Sequence, residues 1–220
     1  MEQAAPLSSV SRICKHLDAD VVVLRNRGLG HQAFVYLWLD ATYVHVREGG
    51  QVVSKAVVIA TGLRADGYRE VLGVDVGDSE NETFWTDFLR GLVRRNLRGV
   101  RLVISDAHAG LKAAIRRVFQ GAGWQRWRVH AMRNFLAVAK HTHRLMIAAL
   151  IRTIFAQPDA DAARTQLRAV VSQLEPVAPD VAAKLEAAED DLLAYTTYPP
   201  AHWTRTVSYT HLTLPTTRLV

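Results

Sequence analysis

Val35 to Val46 reads VYLWLDATYVHV. Phe34 to Leu39 and Thr42 to Val46 are rich in the aromatic, β-branched and aliphatic residues that fill strands, and one carboxylate, Asp40, stands between them. An ionised Asp directly after an apolar run must be hydrogen-bonded, paired or metal-bound wherever it is buried. The flanks set its surroundings. Thr42 to Arg47 continues across Glu48-Gly49-Gly50-Gln51 into Val52 to Thr61, and Arg69 to Val76 follows an Ala-Asp-Gly turn. Gly-Gly and Asp-Gly supply the positive φ angles of tight hairpins, so the opening half is expected to be an antiparallel meander.

Beyond it the hydrophobic period changes from two to 3.6. Between Gly77 and Asn96, Phe84, Phe88, Leu89 and Leu92 line one helical face, and Ser79 with Glu82 matches a capping box. Arg101 to Asp106 then reads as a strand, Ala109 to Phe119 as a helix, Trp124 to His130 as a strand and Ala131 to Lys140 as a helix. The order β-β-β-α-β-α-β-α sets a parallel extension beside an antiparallel hairpin sheet. After His141 only helical patterns follow, punctuated by Pro158, Pro176 and Pro179. Ahead of the first strand, Val10, Ile13, Leu17 and Val21 suggest a short amphipathic helix.

With 220 residues, 49% of them hydrophobic, the chain can bury a sizeable core. A single cysteine, Cys14, excludes a disulfide framework or a Cys-rich zinc site. No signal-peptide layout opens the chain, and its longest apolar stretch, Leu145 to Ala156, is interrupted by Arg152 and too short to span a bilayer, so a cytoplasmic location without a membrane partner is expected. The net charge of +6 is unevenly spread: Arg90 to Arg152 holds fourteen Lys or Arg and one acid, Asp106, whereas Thr153 to Pro200 holds eight acids against three bases. A concentrated positive field suits a phosphate backbone; solvated basic helix faces are the plainer alternative.

Asp40 and Asp106 each follow an apolar strand directly. Strands ending on one edge of an α/β sheet place such carboxylates where open sheets build their sites. Hard oxygen ligands select Mg²⁺ or Mn²⁺. Spacing alone supports equally that Asp106 caps the next helix and Asp40 holds a turn. Asp75 and Asp78 read as turn residues, Glu82 as part of the cap, and Glu186, Glu189, Asp190 and Asp191 as a solvated face. His141 and His143, two apart, point to different faces of a helix and do not suggest zinc.

Four stretches, Tyr36 to Gly62, Arg69 to Leu92, Leu102 to Ile115 and Trp124 to Asn134, together resemble the catalytic core of Mutator-type transposases, the bacterial insertion-sequence branch of the DDE recombinases. The likeness runs from about Ser9 to Trp203. It implies an α/β fold of ribonuclease H-like type, a mixed sheet flanked by helices with an all-helical insertion subdomain. It further implies DNA strand cleavage and transfer with two Mg²⁺ or Mn²⁺ ions, Asp40 and Asp106 being the first and second catalytic, metal-holding acids. DNA, as element ends and target, and a homo-oligomer of the complete protein are the implied partners, in a bacterial cytoplasm at the nucleoid.

Two departures stand out. The family pattern has Cys three residues before the His of the Val-His pair; here Trp127 holds that place and His130 remains, as a core histidine or a neighbour of the site. After Val207 the expected segment leading to a third catalytic acid is replaced by the Thr-rich run from Ser208 to Val220. The chain is therefore expected to be a truncated copy, inactive as written; a DNA-binding remnant without chemistry and another ribonuclease H-like nuclease are the alternatives. Residues 1–33 are taken as a helical remnant, 34–140 as the core, 141–203 as the helical insertion and 204–220 as an unrelated tail. Nonspecific DNA contact is expected through Arg94, Arg95, Arg116, Arg117, Arg126, Arg128, His130 and Arg133. Trp124 and Trp127, interleaved with arginines, are expected in the core by strand alternation.

Overall fold

The computed structural model describes residues 7–64 and 66–207, with side chains described between 17 and 203. In chain order the elements are α1 (Leu7–Asn26), β1 (Tyr36–Glu48), β2 (Gln51–Leu63), β3 (Arg69–Gly77), α2 (Glu82–Arg94), β4 (Leu102–Ser105), α3 (Ala109–Val118), β5 (Gly123–Arg126) and α4 (Arg128–Ala137). Then come α5 (Arg144–Ile154), α6 (Ala160–Leu174), α7 (Pro179–Glu186), α8 (Glu189–Leu193) and α9 (Pro200–Val207). The strands form one mixed sheet in the order β3-β2-β1-β4-β5, flanked by helices, as expected of a ribonuclease H-like α/β fold. The described chain divides into two compact units, one running to Val103 together with His108–Ala122, the other comprising Ile104–Ala107 and the chain from Gly123 onward.

In the first unit β1 is one unbroken strand. Its ladder with β2 runs from Tyr36 opposite Leu63 to Glu48 opposite Gln51, and Asp40 pairs with Ile59 inside it. Two runs separated by Asp40 are thus a single strand, because the half-buried carboxylate folds back to accept a bond from Ala41 N at 3.0 Å and calls for no turn. The turn comes where two residues tolerate positive φ, at Gly49 (59°) and Gly50 (82°). β3 joins β2 antiparallel, with a register shift between Ala60 and Thr61 that leaves Leu72 unmatched and fully buried.

The cap of α2 differs from expectation. Asn81, not Ser79, is the N-cap: its side chain accepts from Phe84 N at 2.9 Å, while its amide donates to Ser79 Oγ at 3.1 Å. Asn accepts as well as Ser does and lies directly before the first helical residue, so Glu82 only adds a favourable charge to the first turn. Trp85, Phe88, Leu89 and Leu92 are buried. Asp75 lies within β3, not in a turn, and pairs with Arg25; Asp78 pairs with Lys55 at 2.5 Å. The last turn of α1 and the loop after it latch onto β3, Arg25 Nε donating to Val74 O at 3.1 Å and Arg27 to Val71 O at 2.7 Å. Leu17 and Val21 are nonetheless exposed, and the side chains of Val10 and Ile13 lie outside the described residues.

In the second unit β5 ends at Arg126, three residues before the last apolar position of the expected strand. Trp127 N donates to Ser105 O at 2.7 Å, and Ala131 N donates to Trp127 O at 2.9 Å to start α4. The Trp-Arg alternation mimics a two-residue period, but the buried pair Ala131 and Phe135, four apart, makes the segment helical. Residues of α4 to α8 and Tyr195 form one apolar core, including Phe135, Ile147, Ile151, Leu167, Val170 and Leu185. Buried Gln125 ties β5 to that core. Its amide donates to Leu192 O at 2.8 Å and its oxygen accepts from Tyr195 N at 2.8 Å. Glu189 and Asp190 pair with Arg164 at 3.0 and 3.2 Å, which gives these acids a structural role. The expected tail from 208 onward lies outside the described residues. Among the described residues no helix is long and apolar enough to cross a membrane.

Candidate active site

Asp106 follows a strand whose four residues, Leu102 to Ser105, are all buried. Such a strand has no tolerance for a charge, so the chain releases Asp106 at its end, with the side chain 48% exposed. It does not cap α3; His108 does, its ring nitrogen accepting from Leu111 N at 3.4 Å. Instead Asp106 Oδ1 accepts from Ala107 N at 2.7 Å, and Oδ2 stands 3.4 Å from His130 Nδ1. The bond with His130, aided by Ala107 N–H and the nearby charge of Arg126, holds the Asp106 carboxyl below the usual carboxylate range despite partial burial.

The backbone under Asp106 is braced as well. Ser105 is fully buried; its Oγ donates to Asp106 O at 2.9 Å and accepts from Trp124 Nε1 at 2.8 Å. Trp127 is buried, as expected, though as the residue preceding α4 and not as a strand residue. Its indole lies parallel to the His130 ring, 4° between planes and 5.0 Å between centroids.

In the first unit Asp40 is half-buried and shares a sheet face with Trp38, since alternate residues of β1 point the same way. Arg69 of β3 lies over the Trp38 indole at 4.4 Å, a cation that sequence reasoning did not single out. Among the described residues no group of three or more His, Cys, Asp or Glu side chains that could hold a metal ion stands together. The half-exposed carboxylate of Asp106, held below the usual carboxylate range, is a hard oxygen donor of the kind a hard divalent cation takes.

The basic candidates fall into two classes. Arg94, Arg116, Arg117 and Arg133 are exposed; Arg117 also pairs with Glu82 at 2.8 Å. Arg95, Arg126 and Arg128 are half-buried. Arg95 donates to Arg27 O at 2.8 Å and Leu24 O at 2.7 Å. Arg126 lies over Phe135 at 5.5 Å, and Arg128 over Phe155 at 3.8 Å, where burial pushes its guanidinium down to about 10. His130 is turned to Asp106.

Residues 3–213 match the family model described as transposase, Mutator family. The chain belongs to the Mutator family of transposases. This Mutator-family chain is 42% identical over 196 residues to the transposase for insertion sequence element IS1081 of Mycobacterium tuberculosis, covering 89% of this chain and 47% of that protein. It is 40% identical over 196 residues to the transposase for insertion sequence element IS406 of Burkholderia multivorans, covering 89% and 50%. Among solved structures, the Drosophila P element transposase strand transfer complex aligns with 60% of this chain and 37% of that chain, at 11% identity and a TM-score of 0.38. The chain spans about half the length of these two insertion-element transposases.

Ser105 and Trp124 as supports of Asp106, and Gln125 as the tie to the helical core, were not legible in this Mutator-family sequence. Their only signal was polarity out of place, a serine closing an apolar run and a glutamine between two tryptophans.

Proposed function

We propose that the chain is the catalytic core of a transposase that cleaves and transfers the DNA strands of an insertion element with divalent metal ions, Asp40 and Asp106 serving as two of its metal-holding acids. The observation that carries this is the state of Asp106, the sole acid between Arg90 and Arg152: ionised, half-exposed, and set at the end of a fully buried strand. Family membership supplies the reaction class.

Mg²⁺ or Mn²⁺ bound there would supply Lewis-acid stabilisation to the attacking and leaving oxygens of a phosphodiester. The protein's own part is to hold the Asp106 carboxyl below the usual carboxylate range and to orient both acids. The exposed arginines would neutralise backbone phosphates, and Arg95, Arg126, Arg128 and His130 are proposed as further DNA contacts. DNA in the bacterial cytoplasm is the substrate, and a homo-oligomer of the complete protein would hold two element ends. Only two of the family's three acids have an assigned position, so the 220-residue chain by itself is proposed to have little or no strand-transfer activity.

Mn²⁺ titration of the purified chain tests the assignment. Heat of binding is expected for the native sequence, and Asp40→Ala and Asp106→Ala should each weaken it at least about tenfold. Unchanged Mn²⁺ affinity in both variants, or robust Mg²⁺-dependent strand transfer by the unaltered chain, would overturn the corresponding part.

A further inference from the structure

Both oxygens of Asp106 are engaged, by different means. Oδ1 takes the N–H of the next residue, a contact any Asp at a strand end can make for itself. Oδ2 depends on a residue 24 positions later in the chain, His130, at 3.4 Å. A lone backbone bond leaves a carboxylate free to swing about χ1 and χ2, whereas a second contact selects one orientation.

His130 has its own support. Its ring is only 18% exposed and lies flat on the Trp127 indole. Trp127 is 5% exposed, and its backbone N–H donates to Ser105 O, the carbonyl directly preceding Asp106. A closed circuit results: Asp106 to His130 by a polar contact, His130 to Trp127 by stacking, Trp127 to Ser105 by a backbone bond, Ser105 to Asp106 through the chain. Ser105 Oγ, bonded to both Asp106 O and Trp124 Nε1, closes a second, smaller loop on the same backbone. Every member belongs to one compact unit.

We infer that His130 is a positioning residue for Asp106 and Trp127 the platform that holds His130, so that the pair presets the orientation in which Asp106 meets a divalent cation. The inference rests on the reading of Asp106 as a metal-holding acid. Groups that orient metal ligands without touching the metal typically govern its affinity 10- to 100-fold, about the size expected here.

Mn²⁺ alone, titrated calorimetrically into the full chain, is the probe. His130→Ala is expected to weaken Mn²⁺ binding about tenfold or more. His130→Asn, which returns an N–H near the place of Nδ1, should recover most of the affinity. Trp127→Phe should stay near the native value and Trp127→Ala approach His130→Ala. The double variant Trp127→Ala/His130→Ala should bind no more weakly than His130→Ala alone, because the platform acts only through the imidazole. Circular dichroism at the titration temperature confirms folding, and if the alanine variants fail to fold, His130→Phe, which keeps a stacked ring but offers no N–H, must bind Mn²⁺ about tenfold more weakly than the native chain for the inference to stand. Asp106→Asn separates the two levels. If it loses Mn²⁺ binding while His130→Ala and His130→Asn match the native chain, the inference fails and the metal assignment stands. If Asp106→Asn binds as the native chain does, or the native chain binds no Mn²⁺, the assignment fails and takes the inference with it.

Discussion

His130 Nδ1 and Asp106 Oδ2 lie 3.4 Å apart, and this contact is the largest cause of the lowered pKa of Asp106. A carboxyl with a folded pKa below its unfolded value contributes stability that is fully present above the unfolded value, near 3.8, and is lost as pH falls through the folded one. Removing the imidazole should therefore move the Asp106 titration upward, toward the ordinary value. Carbon-13 titration of the side-chain carboxyl in the native chain and in His130→Ala measures it. An unchanged midpoint would show that Ala107 N–H and Arg126 alone keep the acid ionised.

The exposed and half-buried arginines should separate in solution. Arg133 is exposed, so Arg133→Ala is expected to flatten the salt dependence of DNA binding by about one unit of log–log slope while leaving the unfolding midpoint unchanged. Arg128 stacks on Phe155, so Arg128→Ala should lower the unfolding midpoint as well, through lost contact with the ring. Filter-binding across a salt series, paired with thermal melts, reads both. Equal effects on melting would remove the distinction.

Gln125→Leu leaves Tyr195 N and Leu192 O buried without their partner. Abandoned buried polar groups cost about 1–3 kcal/mol each, so with two of them the variant should lose about 2–6 kcal/mol in urea denaturation. Gln125→Glu keeps the acceptor but loses the donor, and should fall between Gln125→Leu and the native chain only when protonated.

Gly62→Ala tests packing of the long hairpin against the loop before it. A Cβ there would stand 2.6 Å from Phe34 Cδ1 and 2.7 Å from Leu72 Cδ1, and both side chains are fully buried. Overpacking should cost about 1–3 kcal/mol, offset only in part by the lower unfolded-state entropy of Ala. Equilibrium denaturation checks it, and a stabilised variant would mean that Phe34 and Leu72 have room to move.

The sequence by itself determined the kinds and order of the elements: periodicity distinguishes strand from helix locally, and Gly49-Gly50 places the hairpin turn. It also carried the family likeness, borne out by the match over residues 3–213, and through that likeness it proposed Asp40 and Asp106, acids that are visible after apolar runs without coordinates. Only the tertiary structure decided that Asp40 interrupts nothing, since a strand's continuity is a matter of its partner's register, here Ile59. It likewise decided that Trp127 ends β5 and opens α4, because the bond to Ser105 O joins positions 22 residues apart that no local period encodes. The partnership of His130 with Asp106 arises in the same way: a hydrogen bond depends on where the chain brings two groups, and a side chain's neighbours across the fold leave no mark on its neighbours in sequence.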